Sequence, residues 1–198
     1  MKSSGGVTST LGARRKPVET ALSGPAAGAV GAAFIGASAG FRDLLTNDIG
    51  GTSADIALIQ NGTPRLTTTG MIAGWRVGLP MVDIMTIGAG GGSIARVTQA
   101  GGLVVGPESA GAQPGPVCYR RGGTQPTVTD AHVVLGHLPP YLLAGAFKLD
   151  VDGARNAIQS RIAGPLGLSV EAAARGILEV LDNRSEEHTS ELQSRLHL

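Results

Sequence analysis

Apolar positions along this chain fall into short runs set off by glycine, and the runs alternate between helical and extended spacing. Ala26 to Ala37 is a run of small residues at helical density, with Ser23 placed to cap it and Pro25 in its first turn. Gly28, Gly31, Ala32 and Gly36 would let that helix approach a sheet closely. Leu44 to Ile49 and Ser53 to Gln60 read as the strands of a hairpin. Ile56, Ala57, Leu58 and Ile59 are apolar on both faces, which predicts a sheet covered on both sides. Asn61-Gly62 is a two-residue turn signal, so Thr63 to Thr69 is expected to pair back as a third strand. A loop with Trp75 and Arg76 follows over 70–80, then a strand from Met81 to Ile87. That strand runs into Gly88-Ala89-Gly90-Gly91-Gly92-Ser93 and a further apolar stretch, Ile94 to Val97.

The second half is more helical. Residues 101–126 are rich in glycine and proline and read as a long irregular loop. A short helix is expected from Thr129 through His132, ending at Gly136. Asp152 is placed to cap a helix from Gly153 to Ala163, stopped by Gly164-Pro165. Ser169 is placed to cap a last helix, with Val170, Ala173, Ala174, Ile177, Leu178 and Leu181 on one face. The pattern is that of an α/β chain.

Composition narrows the picture. The 198 residues include 31 glycines and few aromatics, and the formal charge is +1. Charge so close to balance gives no support for nucleic acid as the main partner. Cys118 is the only cysteine, which excludes an internal disulfide and fits a reducing compartment. The Met1 to Gly6 stretch lacks the apolar segment of a leader, and Ala26 to Phe41 is too short to span a bilayer. A cytoplasmic location without membrane attachment is the expectation. Residues 1–20, polar and then basic at Arg14-Arg15-Lys16-Pro17, are expected to be a loosely ordered leading segment, with the domain proper over 21–183. From Arg184 through Ser194 the residues read like a translated sequencing adapter, so 184–198 are expected to be an artefactual tail outside the fold.

The candidate chemistry lies in Asn47-Asp48-Ile49-Gly50-Gly51-Thr52-Ser53-Ala54-Asp55. Adjacent glycines at a strand end expose consecutive amides, a run that cradles anions, and Thr52 and Ser53 add hydroxyl donors. Asp48 suits Mg2+, which favours one or two carboxylates plus phosphate oxygens. A hairpin tip holding a nucleotide phosphate is the physical reading, and an ordinary glycine hairpin is its plain counterpart. Gly88 to Ser93 repeats the strand-to-glycine-turn outline. It satisfies the dinucleotide pattern G-x-G-x-x-G only in part, because Ser93 stands in for the third glycine. Asp83, inside an apolar strand, is either a buried hydrogen-bonded acid or a functional carboxylate. Asp130 and His132 are within reach of a metal or substrate, although Asp130 also suits a first helical turn. Cys118, with no base beside it in sequence, reads as a packing residue.

Several separated blocks carry a more specific likeness. Leu22-Ser23-Gly24-Pro25-Ala26-Ala27-Gly28, Asp48 through Asp55, Ile87 through Ile94, Val105 through Ala112 and Pro114 through Tyr119 occur in one order. Together with Gly122-Gly123-Thr124 and Pro126 through Ala131, they resemble the hydantoinase A and 5-oxoprolinase family. The resemblance implies part of an actin- and hexokinase-like ATPase fold, incomplete in this chain. It also implies a parent enzyme that uses ATP and Mg2+ to open cyclic amides such as 5-oxoproline or hydantoins, or to activate ketones for carboxylation. Asp48 would then hold Mg2+, and Gly50, Gly51, Thr52 and Ser53 would bind phosphate. Gly88, Gly90, Gly91, Gly92 and Ser93 would line the nucleotide cleft. Asp55, Asp83 and Asp130 are the candidate catalytic acids. A hydantoinase B-type subunit or fused domain is the implied partner.

Members of the family carry another D-x-G-G-T motif in an N-terminal domain, and no second copy occurs here. The chain is therefore expected to be a central fragment without measurable ATPase of its own. The sequence leaves two other classes open. One is a non-catalytic nucleotide-binding or assembly module, and the other is an NAD-dependent Rossmann oxidoreductase using Gly88 to Ser93.

Overall fold

The computed structural model describes residues 1–72 and 74–194, with side chains described through Glu186. The chain forms two compact units, the first mainly from Met1–Asp48 and Asp55–Thr86, the second from Ile49–Ala54 and Ile87–His188.

In the first unit, residues 1–20 are more ordered than their composition suggests. Helix α1 (Thr10–Arg15) is capped by the Ser9 hydroxyl, which accepts from Gly12 N–H at 3.1 Å. Ser3 is buried and its backbone amide donates to the Glu19 carbonyl at 2.7 Å, while Lys2 pairs with Glu19 at 2.9 Å. Helix α2 (Ser23–Ser38) follows, but Ser23 is its first residue rather than its cap. The preceding Leu22 takes that place in a left-handed conformation, with no side-chain cap bond. Ala26 and Ala29 of α2 are buried against Ala57 and Val82.

Strands β1 (Leu44–Ile49) and β2 (Ala54–Gln60) form the expected hairpin. Ile56, Ala57, Leu58 and Ile59 are all buried, as apolar residues on both faces require. The Asn61-Gly62 turn has φ of 52° and 77°, the paired positive values of a type I′ turn that only a residue pair of this kind adopts cheaply. The return strand breaks at Arg65 into β3 (Thr63–Pro64) and β4 (Leu66–Thr67), although Arg65 N–H still donates to the Leu58 carbonyl at 2.9 Å. The stretch expected as a loop instead holds a small hairpin, β5 (Gly70–Ile72) and β6 (Trp75–Val77). The next strand is likewise split at Asp83 into β7 (Met81–Val82) and β8 (Ile84–Ile87), with β7 pairing β4 and β8 pairing β2.

The second unit begins with an antiparallel pair, β9 (Ser93–Val97) and β10 (Leu103–Ser109), whose register shifts between Val105 and Ser109. Leu103–Ser109, within the expected irregular loop, is thus strand. Helix α3 (Val128–Val134) is capped by Thr127 and followed by a two-stranded piece, β11 (Tyr141–Leu142) with β12 (Phe147–Lys148). Helix α4 (Val151–Ile158) is capped by Asp150, not Asp152, since the Asp150 carboxylate accepts from Gly153 N–H at 2.9 Å. Gly164-Pro165 does not end the helical run. A π turn over Gln159–Ala163 leads into α5 (Gly164–Leu166), where Pro165 occupies the first turn and needs no donor. Gly167, in a left-handed conformation, is the stop.

The last helix, α6 (Val170–Ser194), buries Val170, Ala173, Ala174, Ile177 and Leu181 on one face. It continues through Arg184, whose guanidinium donates to the Val105 carbonyl at 2.7 Å. Among the described residues no helix is long and apolar enough to cross a membrane.

Candidate functional site

The two glycine turns singled out from sequence lie side by side in the second unit. Gly50 closes the first turn by donating from its N–H to the Ser53 carbonyl at 2.8 Å. In the second turn Gly90 N–H donates to the Ser93 hydroxyl at 3.0 Å, and Ser93 N–H to the Gly90 carbonyl at 3.0 Å. The turns are then tied together: Gly91 N–H donates to Gly50 O at 3.0 Å, and Gly92 N–H to Gly51 O at 2.6 Å. Contact is so close that a Cβ on Gly90 would stand 2.8 Å from the Gly50 carbonyl oxygen.

These bonds divide the predicted phosphate-binding residues into two groups. Gly50, Gly90, Gly91, Gly92 and Ser93 spend their amides on holding the turns, and Gly88 lies against Pro107. Gly51, Thr52 and Ser53 keep N–H groups with no acceptor among the described residues. The second glycine turn therefore acts as a buttress that fixes the first, leaving three successive amides of the first free. Thr129 locks the buttress from the other side, with both its N–H and its hydroxyl donating to Gly91 O at 2.8 Å.

A cavity of about 200 Å3 opens beside this clasp, lined by Gly51, Thr52, Gly92, Gly111, Tyr119 and Thr129 among others. The Ser109 hydroxyl reaches Thr52 Oγ1 at 3.4 Å and accepts from Gly111 N–H at 3.1 Å. Burial raises the Tyr119 phenol above its ordinary range, so it stands in the cavity as a neutral donor. Sequence reasoning missed Ser109, Tyr119 and Thr129. Only Thr129 had a readable signal, as a hydroxyl two residues into the T-V-T-D cap of α3.

Asp130 has a structural position. It is fully buried and completes a capping box with Thr127, a role that the Thr-x-x-Asp spacing announces. One oxygen accepts from Cys118 N–H at 2.8 Å. The other accepts from Val117 N–H at 3.1 Å and from Thr127 N–H and Oγ at 2.8 Å each. These partners account for its burial without any ligand. Cys118 beside it is inert: burial first, then the Asp130 carboxylate, hold its thiol far above the ordinary value. His132 does not converge with Asp130. Its Nδ1 lies 3.3 Å from that of His137, and burial, then the His137 charge, lowers its pKa and keeps it neutral near pH 7.

In the first unit a cavity of about 280 Å3 is lined by Pro25 and Gly28 of α2, Asn47 and Asp48 of β1, Asp55 of β2 and Ile84 of β8. Asp48 is exposed and makes no ion pair among the described residues. Asp55 accepts from the Thr86 hydroxyl at 2.6 Å. Asp83 lies outside this cavity, 3.5 Å from the Arg65 guanidinium, and its N–H donates to the Arg65 carbonyl. Of the three candidate acids, Asp55 alone shares a cavity with Asp48.

The donor set fits Mg2+ better than a transition metal. Among the described residues no group of three or more His, Cys, Asp or Glu side chains converges. An all-protein cage is thus absent from that part of the chain, whereas one free carboxylate is what Mg2+ takes when phosphate oxygens and waters supply the rest.

The family model for hydantoinase/oxoprolinase matches residues 1–197. Caprolactamase subunit alpha of Pseudomonas jessenii is 43% identical over 182 residues, 91% of this chain and 26% of that one. The acetophenone carboxylase gamma subunit of Aromatoleum aromaticum is 42% identical over 178 residues, 88% of this chain and 24% of the other. A nucleotide-free structure of acetone carboxylase, an enzyme of ATP-dependent acetone carboxylation, superposes with a TM-score of 0.88 at 38% identity. That match covers 98% of this chain and 27% of the neighbour, so the chain spans about a quarter of the length of the relatives it matches. With a family match along nearly its whole length and an acetone carboxylase superposing on almost all of it, the chain belongs to the hydantoinase/oxoprolinase family and holds part of an ATPase-like α/β fold.

Proposed function

We propose that this chain is the phosphate-binding segment of an ATP-dependent enzyme that opens cyclic amides or carboxylates ketones. The observation that carries the reading is the buttressed turn, in which the amides of Gly51, Thr52 and Ser53 have no acceptor among the described residues while those of Gly50, Gly90, Gly91, Gly92 and Ser93 are engaged. Such a run, with two hydroxyls beside it, is a preorganised anion site. Asp48, exposed and without an ion pair among the described residues, is the Mg2+ carboxylate of the proposal. Asp55, held by Thr86, is the acid assigned to the reacting end. The related caprolactamase and acetone carboxylase are both ATP-dependent, which supports ATP as the nucleotide.

The chemistry asks for this machinery. A cyclic amide is stabilised by resonance, and transfer of a phosphoryl group to its carbonyl oxygen turns that oxygen into a leaving group. A ketone enol phosphorylated in the same way becomes an activated carbon nucleophile for carboxylation. In either case the protein's task is to position the phosphates and offset developing charge. The relatives are named as alpha and gamma subunits, and a second subunit or fused domain of the hydantoinase B type is part of the proposal. A non-catalytic module is the competing reading, and Asp48 separates the two. In a full-length subunit containing this sequence, Asp48→Ala is expected to weaken Mg-ATP at least tenfold, about 1.4 kcal/mol, by calorimetric titration, with little change in melting temperature. Unchanged Mg-ATP affinity in that variant would remove Asp48 from the nucleotide site.

A further inference from the structure

The last turn of α3 brings together two imidazoles that have no part in the phosphate reading. Leu135 is the C-cap of the helix, and Gly136 follows in a left-handed conformation with φ of 73°. Gly136 N–H donates to the Val133 carbonyl at 3.1 Å, and His137 N–H to the His132 carbonyl at 2.9 Å. That pair of bonds is the Schellman arrangement, which folds the second residue past the cap back over the last helical turn. The side-chain contact that accompanies it is usually apolar, but here it is His137 against His132. The rings are tilted by 51° with centroids 5.5 Å apart, so they meet through their Nδ1 atoms rather than by stacking.

The two Nδ1 atoms are 3.3 Å apart, and that length decides what the pair can hold. An N–H donor normally stands about 2.7–3.2 Å from its acceptor, so a proton between these rings makes only a stretched bond. Two nitrogens that share one tetrahedral Zn2+, each at about 2.0–2.1 Å, stand about 3.3–3.4 Å apart. The right angles of a square-planar ion would draw them in to roughly 2.9 Å. His132 is neutral near pH 7, the form that ligates a metal, and the Asp182 carboxylate of α6 favours positive charge beside it. Among the described residues no third His, Cys, Asp or Glu joins the pair, and His137 is exposed, so water fills the remaining positions. We propose that His132 and His137 form an exchangeable two-histidine site for a tetrahedral transition ion, Zn2+ foremost, which clips the turn that ends α3. Thr129, which holds Gly91 of the clasp, lies one turn earlier on the same helix. Neither histidine belongs to the proposed nucleotide site.

The chain holds four histidines, so the test uses a His188→Ala, His197→Ala background in which this pair alone remains. Zinc chloride is titrated into the full chain with isotopically labelled imidazoles, and magnesium chloride is the control. The expected result is saturable binding of one Zn2+, with the Nδ1 resonances of His132 and His137 moving together and Mg2+ moving neither. Acid should release the ion, since both ligands must be deprotonated to hold it. His137→Ala, at an exposed position, is expected to weaken Zn2+ at least tenfold while leaving the melting temperature of the metal-free chain little changed. Excess Zn2+ should raise the melting temperature of the background chain and not that of His137→Ala. No saturable response, movement of one imidazole alone, coordination through Nε2, or undiminished affinity in His137→Ala would each mean an adventitious ion only and overturn the site.

Discussion

Asp130→Ala is expected to lower the stability of the chain by about 3–5 kcal/mol. The carboxylate is the shared acceptor for Val117, Cys118 and Thr127 amides and for the Thr127 hydroxyl, all at 2.8 to 3.1 Å. Removing it strands three N–H groups in and beside the interior, and each unsatisfied buried donor costs about 1–3 kcal/mol. The start of α3 and the Val117–Tyr119 turn would come apart together, because Asp130 is what joins them. Urea denaturation monitored by circular dichroism reads the loss. Asp130→Asn keeps one acceptor oxygen and should cost less than half as much. A catalytic acid would behave differently, since its removal typically leaves stability unchanged. A wild-type denaturation midpoint for Asp130→Ala would return Asp130 to the list of functional acids.

The second large effect is at Gly90. A methyl group there would stand 2.8 Å from the Gly50 carbonyl oxygen and 2.9 Å from the carbonyl carbons of Gly51 and Thr52. Every one of those atoms is backbone, so no side chain can turn aside to make room. Gly90→Ala is expected to destabilise by about 3 kcal/mol, near the upper end of overpacking costs, and to spread the turns enough to break the Gly91 and Gly92 bonds. Gly51→Ala is the matched control. Nothing lies within 4 Å of a Cβ at that position and its backbone conformation is ordinary, so a change within about 0.5 kcal/mol is expected. Equal losses at the two positions, measured by the same denaturation, would mean that the turns are not clasped as described.

The contrast between these glycines shows what the sequence could and could not reveal. A run such as Gly88 to Ser93 announces a backbone-dominated contact, but not whether the backbone meets a ligand or another turn. Here it meets another turn, and among the described residues of the two turns the Gly51, Thr52 and Ser53 amides are left without an acceptor. The hairpin strands were legible to within a residue because Ile56 to Ile59 and the Asn61-Gly62 turn leave one consistent register. Breaks at Arg65 and Asp83 were not, since each depends on a tertiary pair: Arg65 and Asp83 bind each other across β4 and β7. Asp150 and Asp152 are both acceptable caps on composition, and only the geometry of the Gly153 amide decides between them. The expected loop over 101–126 concealed β10 because its Gly-Pro step sits inside the strand as an irregularity. Continuation of α6 past Arg184 follows from good helix formers such as Glu, Leu and Gln, and helix propensity is indifferent to the origin of the stretch.

Three successive amides of the buttressed turn have no acceptor among the described residues, and these are the proposed phosphate contacts. Titrating Mg-ATP into the isotopically labelled chain, with adenosine as the phosphate-free control, observes them one by one in amide-resolved NMR. The expected result is saturable movement of the Gly51, Thr52 and Ser53 resonances with Mg-ATP and none with adenosine, while the clasped amides of Gly91 and Gly92 move little. Silence at all three amides with Mg-ATP, or the same response to adenosine, would contradict the assignment of this turn to a nucleotide phosphate.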